Sequence, residues 1–296
     1  MDSITHGLVG IFLFHGPFPG LLLLFAVLGA ILPDSDILHR RFSDRDPRLF
    51  VFSHGGFTHS IPGAAAVAGG VAAGFQAWQI VAGQGYAGTQ VLALGWALAF
   101  AGALTHLALD ALAFPGIPLL YPARTRKYSA GIFPGPSLVL FGTSVCVLLA
   151  LLSGHAGIGT LPVYMGFIAV FIVAHAVLRA VVTSRHPGLA IPTLNPLKWL
   201  VVRESEDFFE VYSAGPSKMD RKLASFPRHD GVGPGYIGRH IGDPEVQRVV
   251  YHSYLTVAGR EDGSVVIRDP LRECGLLPYP PHYRRVCIPA GDGGDF

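Results

Sequence analysis

Histidine and aspartate recur in four short stretches of this chain: His6; Asp34 and Asp36; His54 and His59; and His106 with Asp110. Each stretch borders a long apolar run. A charged or imidazole side chain beside hydrocarbon is costly unless something pairs with it. His106 and Asp110, in THLALD, are i and i+4, so on a helix they project from one face and reach a common ion. Asp34 and Asp36 flank Ser35 after Pro33, and neighbouring carboxylates repel unless a cation lies between them. Imidazole with carboxylate suits zinc, manganese or iron better than calcium. Seven candidate ligands exceed the needs of one tetrahedral ion, so one or two ions are expected. Two ions about 3.5–4 Å apart are the usual device for phosphoester hydrolysis. A divalent ion also activates water near neutral pH, so a nucleophile is available without Ser or Cys.

These residues must be delivered by the apolar segments around them. Six are read in the first 185 residues: about 4–14, 18–32, 58–80, 91–114, 136–152 and 161–182. A spanning helix needs about 20 apolar residues at about 1.5 Å each. The third, fourth and sixth meet that length, whereas the first two are short and read as a hairpin around Gly16-Pro17. Small residues, as in GAAAVAGGVAAG, allow helices to approach closely. Crossing the membrane alternately, the segments put all four His/Asp stretches on one side. The loops of that side carry Arg40, Arg41, Arg45, Arg48, Arg124, Arg126 and Lys127, with Arg179 and Arg185 at the last exit. The opposite loops, near 15–17, 81–90 and 153–160, contain no Lys, Arg, Asp or Glu. The positive-inside rule then places the His/Asp side in the cytoplasm.

The expected fold class is mainly α: a multipass transmembrane bundle of about six apolar helices over residues 1–185, followed by a soluble β-rich domain over 186–296. Half of the 296 residues are hydrophobic and only 14% are charged, well below the roughly 25% of soluble proteins. The N-terminal stretch has no Lys or Arg ahead of its apolar run, which argues against a cleaved signal peptide. In the C-terminal part, VQRVVYHSYLTVAG and SVVIRD read as two strands around REDG. WLVVRES and DFFEVYSA read as a second pair, and 213–243, rich in Gly and Pro, reads as loop. The three cysteines form no C-x-x-C pair, which excludes a zinc ribbon or thioredoxin motif; a Cys274–Cys287 disulfide is left open.

Each residue also has a plainer reading. A lone histidine near a helix end is usually just hydrogen-bonded, and His106 with Asp110 could be an intramembrane pair that stabilises a bundle. Of the remaining histidines, His39 could join Asp36 at i+3, His175 reads as a packing residue, and His15 and His155 lie on the far side. Arg124, Arg126 and Lys127 could hold a substrate phosphate, although topology accounts for them equally well.

MDSITHGLVG at the start, GAILPDSD at 29–36, HGGFTHS at 54–60 and THLALD at 105–110 resemble the YdjM-like family of membrane-bound metal-dependent hydrolases. The tail GIPLLYP, 116–122, matches the expected ending. Two positions depart from the family pattern: Gly55 stands where an Arg is typical, and Ala113 where a Thr is common. The resemblance implies a multipass inner-membrane protein that uses metal to hydrolyse its substrate.

The reading is therefore a membrane-bound metal-dependent hydrolase, acting on an anionic phosphoester in or near the lipid bilayer. His6, Asp34, His59, His106 and Asp110 are the core ligands, and Asp36 and His54 are second-ion ligands or general bases. The cofactor is one or two divalent ions, zinc first and manganese or iron as alternatives. The metal site and C-terminal domain face the cytoplasm, and no nucleic-acid partner is predicted. The rival readings are a non-catalytic membrane metal-binding protein, sensor or carrier, and a structural anchor whose His and Asp residues only pack helices.

Overall fold

Where each apolar run begins and ends is set by local chemistry. In the computed structural model, which describes residues 1–277, 283 and 285–289, α1 (Ser3–Phe14) starts at Asp2, whose carboxylate accepts from the Thr5 amide at 2.9 Å. This satisfies one of the donors every helix start leaves open. α2 (Leu21–Ile31) follows Gly20 and runs into a 3-10 stretch, Leu32–Leu38, and then α3 (Arg40–Arg45). Ser60 caps α4 (Ile61–Val81) through the Gly63 amide, with Pro62 in the first turn, where its missing N–H costs nothing. α5 (Thr89–Asp110), the Ser137-capped α6 (Leu138–Leu152) and α7 (Leu161–Arg185) complete the apolar set.

Four stretches are long and apolar enough to cross a membrane: Leu21–Arg45, Ile61–Val81, Thr89–Asp110 and Ile158–Arg185. Ser3–Phe14 and Leu138–Leu152 are apolar but shorter. The second segment thus differs from the short one expected, because the helical path continues past Ile31 through the 3-10 turn. The fourth ends earlier than expected, since Ala113–Phe114 is β1, paired in parallel with β2 (Phe133–Pro134).

The chain divides into two compact units. The first comprises Met1–Arg40, Phe52–Ala180 and Pro192–Pro196. Two of the clusters in its interior join the apolar helices. Leu8 and Val9 of α1 pack with Leu140 of α6 and with Leu161, Tyr164 and Ile168 of α7. Phe25 and Ala26 of α2 pack with Ala68 and Val71 of α4 and Leu98 and Ala99 of α5. Buried hydroxyls tie α1 to α6 and α7: Thr5 Oγ1 lies 2.6 Å from Ser144 Oγ, which lies 2.6 Å from the Tyr164 hydroxyl.

The crossing of α2 and α5 is the closest approach in this unit that bears on function. A Cβ on Gly29 would lie 1.9 Å from the Ala99 carbonyl oxygen, and one on Gly102 would lie 2.0 Å from that of Ala26. Only hydrogen fits at either place, and small residues are what allow backbones in a membrane to touch. Gly102 is one turn before His106, and Gly29 is five residues before Asp34. The crossing therefore brings the end of α2 beside the end of α5.

The second unit comprises Arg41–Val51, Val181–Ile191 and the chain from Leu197 onward. β3 (Leu189–Pro192), β4 (Trp199–Glu204), β5 (Phe208–Ala214) and β6 (Met219–Pro227) form one sheet in that order, β4–β5 and β5–β6 antiparallel. The second sheet has the order β10-β9-β8-β7, from β7 (His229–Asp230), β8 (Val257–Glu261), β9 (Ser264–Arg268) and β10 (Arg285–Pro289). Short helices α8 (Tyr236–Arg239), α9 (Pro244–His252) and α10 (Pro270–Glu273) accompany them. Tyr236, Val246 and Val249 pack on Ala258, Val265 and Ile267.

Both expected strand pairs are present, and β8 turns into β9 at Asp262 and Gly263, each with positive φ. Two expectations fail. VQRVVYH is helix α9, not strand, because Asp243 caps it, Pro244 opens it, and Val246 and Val249 repeat at helical spacing on the buried face. The expected loop at 213–243 contains β6, β7 and α8, since β6 has no Gly and its one Pro, Pro227, is its last residue. Cys146, Cys274 and Cys287 are all free thiols.

Substituting Gly102→Ala should destabilise the protein by about 1–3 kcal/mol, the usual cost of overpacking. Gly69→Ala on α4, whose new Cβ meets nothing within 4 Å, should be neutral or stabilising by up to ~1 kcal/mol. Thermal unfolding of the two variants in detergent measures the contrast, and equal shifts would contradict the crossing.

Candidate metal centre

The end of α2 supplies Asp34 and Asp36 on its 3-10 extension, and the end of α5 supplies His106 and Asp110. A short 3-10 turn, Phe57–His59, supplies His59 just before α4, and α1 supplies His6 in its first turn. Their reactive atoms converge. His59 Nε2 lies 3.2 Å from His106 Nε2, 3.4 Å from Asp110 Oδ2 and 3.6 Å from Asp34 Oδ1. His106 Nε2 lies 3.5 Å from Asp34 Oδ1 and 3.6 Å from Asp110 Oδ2. A tetrahedral zinc with N and O ligands at about 2.0–2.1 Å holds its ligand atoms roughly 3.3–3.4 Å apart. The five separations straddle that value.

Hydrogen bonds at the far side of each ring determine which nitrogen faces inward. His106 Nδ1 is 2.7 Å from the Ala30 carbonyl oxygen, which can only accept, so Nδ1 carries the proton and Nε2 presents a lone pair. His59 Nδ1 is 3.1 Å from Asp36 Oδ2 and 3.1 Å from Thr58 Oγ1. Thr58 uses its own proton on Asp36 Oδ2 at 2.7 Å, so His59 Nδ1 also donates. Such partners behind metal-ligating histidines fix tautomer and ring orientation.

Within this site, among the described residues, two buried polar atoms have no hydrogen-bond partner: Asp34 Oδ1 and His6 Nδ1. The other oxygen of Asp34 accepts from Ser3 Oγ at 2.7 Å, so Oδ1 is the atom left for an ion. An orphaned buried acceptor amid two imidazoles and a second carboxylate is what a cation site needs. Burial disfavours a charge on His59, but the carboxylates of Asp110, Asp34 and Asp36 outweigh it and hold its pKa well above the ordinary histidine value. A proton there balances part of the negative charge that a divalent ion would otherwise balance.

Asp36, His54 and His59 form a second group of closely spaced donors, sharing His59 with the first. Asp36 already receives four donors, namely the Gly55 amide at 3.0 Å, Thr58, His59 and His54 Nδ1 at 2.8 Å. His54 is the exposed member of this group, and with Nδ1 turned to Asp36 its Nε2 is left to point elsewhere. The seventh candidate, His6, stacks on His106 with ring centroids 3.7 Å apart, and its Nε2 lies 3.2 Å from Asp110 Oδ1. The Met1 amino group also contacts Asp110.

The structure thus brings six of the seven sequence-predicted residues into two groups joined at His59, whereas His6, expected as a core ligand, lies outside both, against Asp110 and His106. His175 bonds its own helix at the Phe171 carbonyl, 2.8 Å, and stacks on Phe171. His15 bonds the carbonyls of Ile11 and Phe12, and His155 bonds Ser153. Ser3, Thr58, the Gly55 amide and the Ala30 carbonyl contribute without having been singled out from sequence. Ser3 and Thr58 lie inside MDSITHG and HGGFTHS, but a lone hydroxyl carries no charge or spacing signal.

The model of the YdjM inner membrane protein family matches residues 1–182, which include every one of these ligands. The chain belongs to the YdjM inner membrane protein family. Among curated proteins and among solved structures there is no match. The family match ends near the close of α7, so it covers the apolar helices and the His/Asp groups they hold and leaves out the two four-stranded sheets.

His106→Ala should abolish stoichiometric metal in the purified protein, read by elemental analysis with folding checked by circular dichroism. Asp36→Asn should keep the metal but weaken it about 10–100-fold in chelator competition, the usual effect of losing a ligand's orienting partner. A full complement in His106→Ala would show the ligand set to be wrong.

Proposed function

We propose that this YdjM-family protein is a membrane-bound hydrolase that uses a divalent ion, zinc by its donor set, to cleave a phosphoester at the membrane. The observation that carries this is the spacing of Asp34 Oδ1, His59 Nε2, His106 Nε2 and Asp110 Oδ2, 3.2–3.6 Å between partners. The nitrogen and oxygen donors favour zinc, with manganese or iron able to occupy the same set. The ion would act as Lewis acid toward the phosphoryl oxygen and lower the pKa of water.

The chain's own residues divide the remaining work. Asp36 holds the imidazoles of His59 and His54 in orientation. His54, with Nδ1–H on Asp36, offers Nε2 as the base. A proton passes from water to that nitrogen as the new P–O bond forms, and from it to the departing alkoxide as the old P–O bond breaks. His54 is exposed enough for water and substrate to reach it. The first two apolar helices are taken as a hairpin that crosses a thinned region or enters part-way, and the other four as crossings. The charge asymmetry of their loops, Arg124, Arg126 and Lys127 against the uncharged loops of the other side, supports a cytoplasmic site.

One observation favours the rival reading, a non-catalytic metal-binding membrane protein. Structural zinc sites are closed by four protein ligands, whereas catalytic ones keep three and leave a position open. The group around His59 and His106 offers four. Hydrolysis therefore needs a fifth position on the ion or release of one carboxylate, and Asp110, which His6 also holds, is the candidate to move.

Purified protein loaded with zinc and assayed on a phosphate monoester and on phospholipid should show hydrolysis that chelator removes and zinc restores. His54→Ala should lower turnover about 10²–10⁴-fold with metal content unchanged. Bound metal without turnover on either substrate class, and no effect of His54→Ala, would favour the sensor.

A further inference from the structure

A cavity of about 550 Å³ lies between α2 and α4, lined by one face of each helix. From α2 it takes Leu21, Leu24, Leu28 and Leu32, a stripe at helical spacing, and then Ser35 on the 3-10 turn. From α4 it takes Val67 and Val71, with Gly70 and Gly74 leaving the wall open. Ser35 is its single hydroxyl-bearing residue, and it stands between Asp34 and Asp36. The cavity is therefore apolar along its length and reaches Ser35, the residue between the two candidate metal-ligating carboxylates.

We infer that this groove seats one hydrocarbon chain of a phosphate-bearing membrane lipid, whose headgroup then meets the His/Asp cluster. This rests on the hydrolase reading above and names its substrate class. Both walls belong to stretches apolar and long enough to span a membrane, so the surroundings of the groove are themselves hydrocarbon. Leu21 to Leu32 is eleven steps along the chain, roughly 16 Å at about 1.5 Å per residue, or about half of the roughly 30 Å hydrocarbon core. That is one leaflet, the depth of one acyl chain. The volume falls within the usual range of ligand pockets, about 300–1,000 Å³. A chain anchored there would bring a phosphoester to Asp34 and His106 without any soluble binding surface, and would exclude phosphoesters that lack a tail.

The test is photolabelling of the full-length protein, zinc-loaded, in vesicles containing phosphatidic acid with a diazirine midway along one acyl chain. Adducts should concentrate on Leu24, Leu28, Val67 and Val71, severalfold above the lipid-facing Val163, Val170 and Val173 of α7, which are more than half exposed. Gly70→Leu with Gly74→Leu fills the open wall, where a Cβ meets nothing within 4 Å. It should lower groove labelling to the α7 level at unchanged metal content. If that variant does not fold, Leu28→Trp fills the groove from the other wall and should give the same loss. A diacylglycerol probe should label the groove severalfold less than phosphatidic acid in zinc-loaded protein.

Groove labelling equal to that of α7, labelling unaffected by both filling variants, equal labelling by the two probes, or crosslinks to a second copy of the chain would each overturn the inference. The His106→Ala variant separates the two proposals. There, groove labelling should persist at the diacylglycerol level while metal and turnover vanish. Absence of turnover in wild type with the labelling pattern intact would count against hydrolysis alone.

Discussion

Two carboxylates, Asp34 and Asp110, sit largely buried with their donor atoms within 4.8 Å of each other and of two imidazole nitrogens. Like charges at that separation in a poorly solvated place are held together only by positive charge between them. Everything else about the apolar unit follows from this requirement. The orienting bonds behind His59 and His106 turn both Nε2 atoms toward the same point, and Asp34 Oδ1 has no hydrogen-bond partner there. A cluster serving only to staple helices would be expected to satisfy its acceptors with donors, as Asp36 does. A saturated Asp36 and an unsatisfied Asp34 thus differ sharply in their surroundings, although the two lie two residues apart.

The helices meet that requirement through small residues. Asp34 and His106 lie at the ends of α2 and α5, and their separation depends on how closely those helices cross. Gly29 and Gly102 let backbone touch backbone, and the neighbouring Ala26, Ala30, Ala99 and Ala103 are fully buried. The same contact supplies a ligand's partner, because the Ala30 carbonyl that accepts from His106 belongs to the turn next to the crossing. Packing and site geometry are thus one feature, and a bulkier residue at the crossing moves both.

The apolar unit was far more readable from the sequence than its companion. Long hydrophobic runs carry helix and membrane in the same signal, and a break such as Gly16-Pro17 marks an end, whereas PDSD does not, because the helical path runs on through it. The His/Asp residues stand out because such side chains are rare beside hydrocarbon. Their spacing at the ends of alternating segments already led to the expectation that they gather together, as six of the seven do. What could not be read was the supporting layer. Ser3 and Thr58 look like any helix-start hydroxyl, and a backbone carbonyl such as that of Ala30 has no sequence identity at all. In the second unit the signals compete. VQRVVYH has the β-branched content of a strand, and only the cap and proline at Asp243-Pro244 reveal a helix. Residues 219–227 form a strand in a region whose glycines and prolines suggest none.

The location of the cluster at helix ends, rather than mid-helix, has its own physical reason. An ion at the bilayer centre must be paid for in full desolvation, whereas at the end of a span the last carbonyls and the following turns are free to donate and accept. The 3-10 extension after Ile31 uses that freedom to place Asp34 and Asp36 on different sides of one short stretch, Asp34 toward His106 and Asp36 toward His54 and His59. A regular helix would set residues two apart about 200° from each other, and neither could serve a common centre so closely. A 3-10 turn in which the carboxylates diverge while both touch His59 makes that imidazole the shared member of the two groups. The order of dependence is then clear: the crossing of α2 and α5 brings Asp34 to His106, the turn after α2 brings Asp36 to His59, and His59 joins them. Replacing His59 should therefore disturb both groups at once, whereas His54 can be removed with the four-donor set intact.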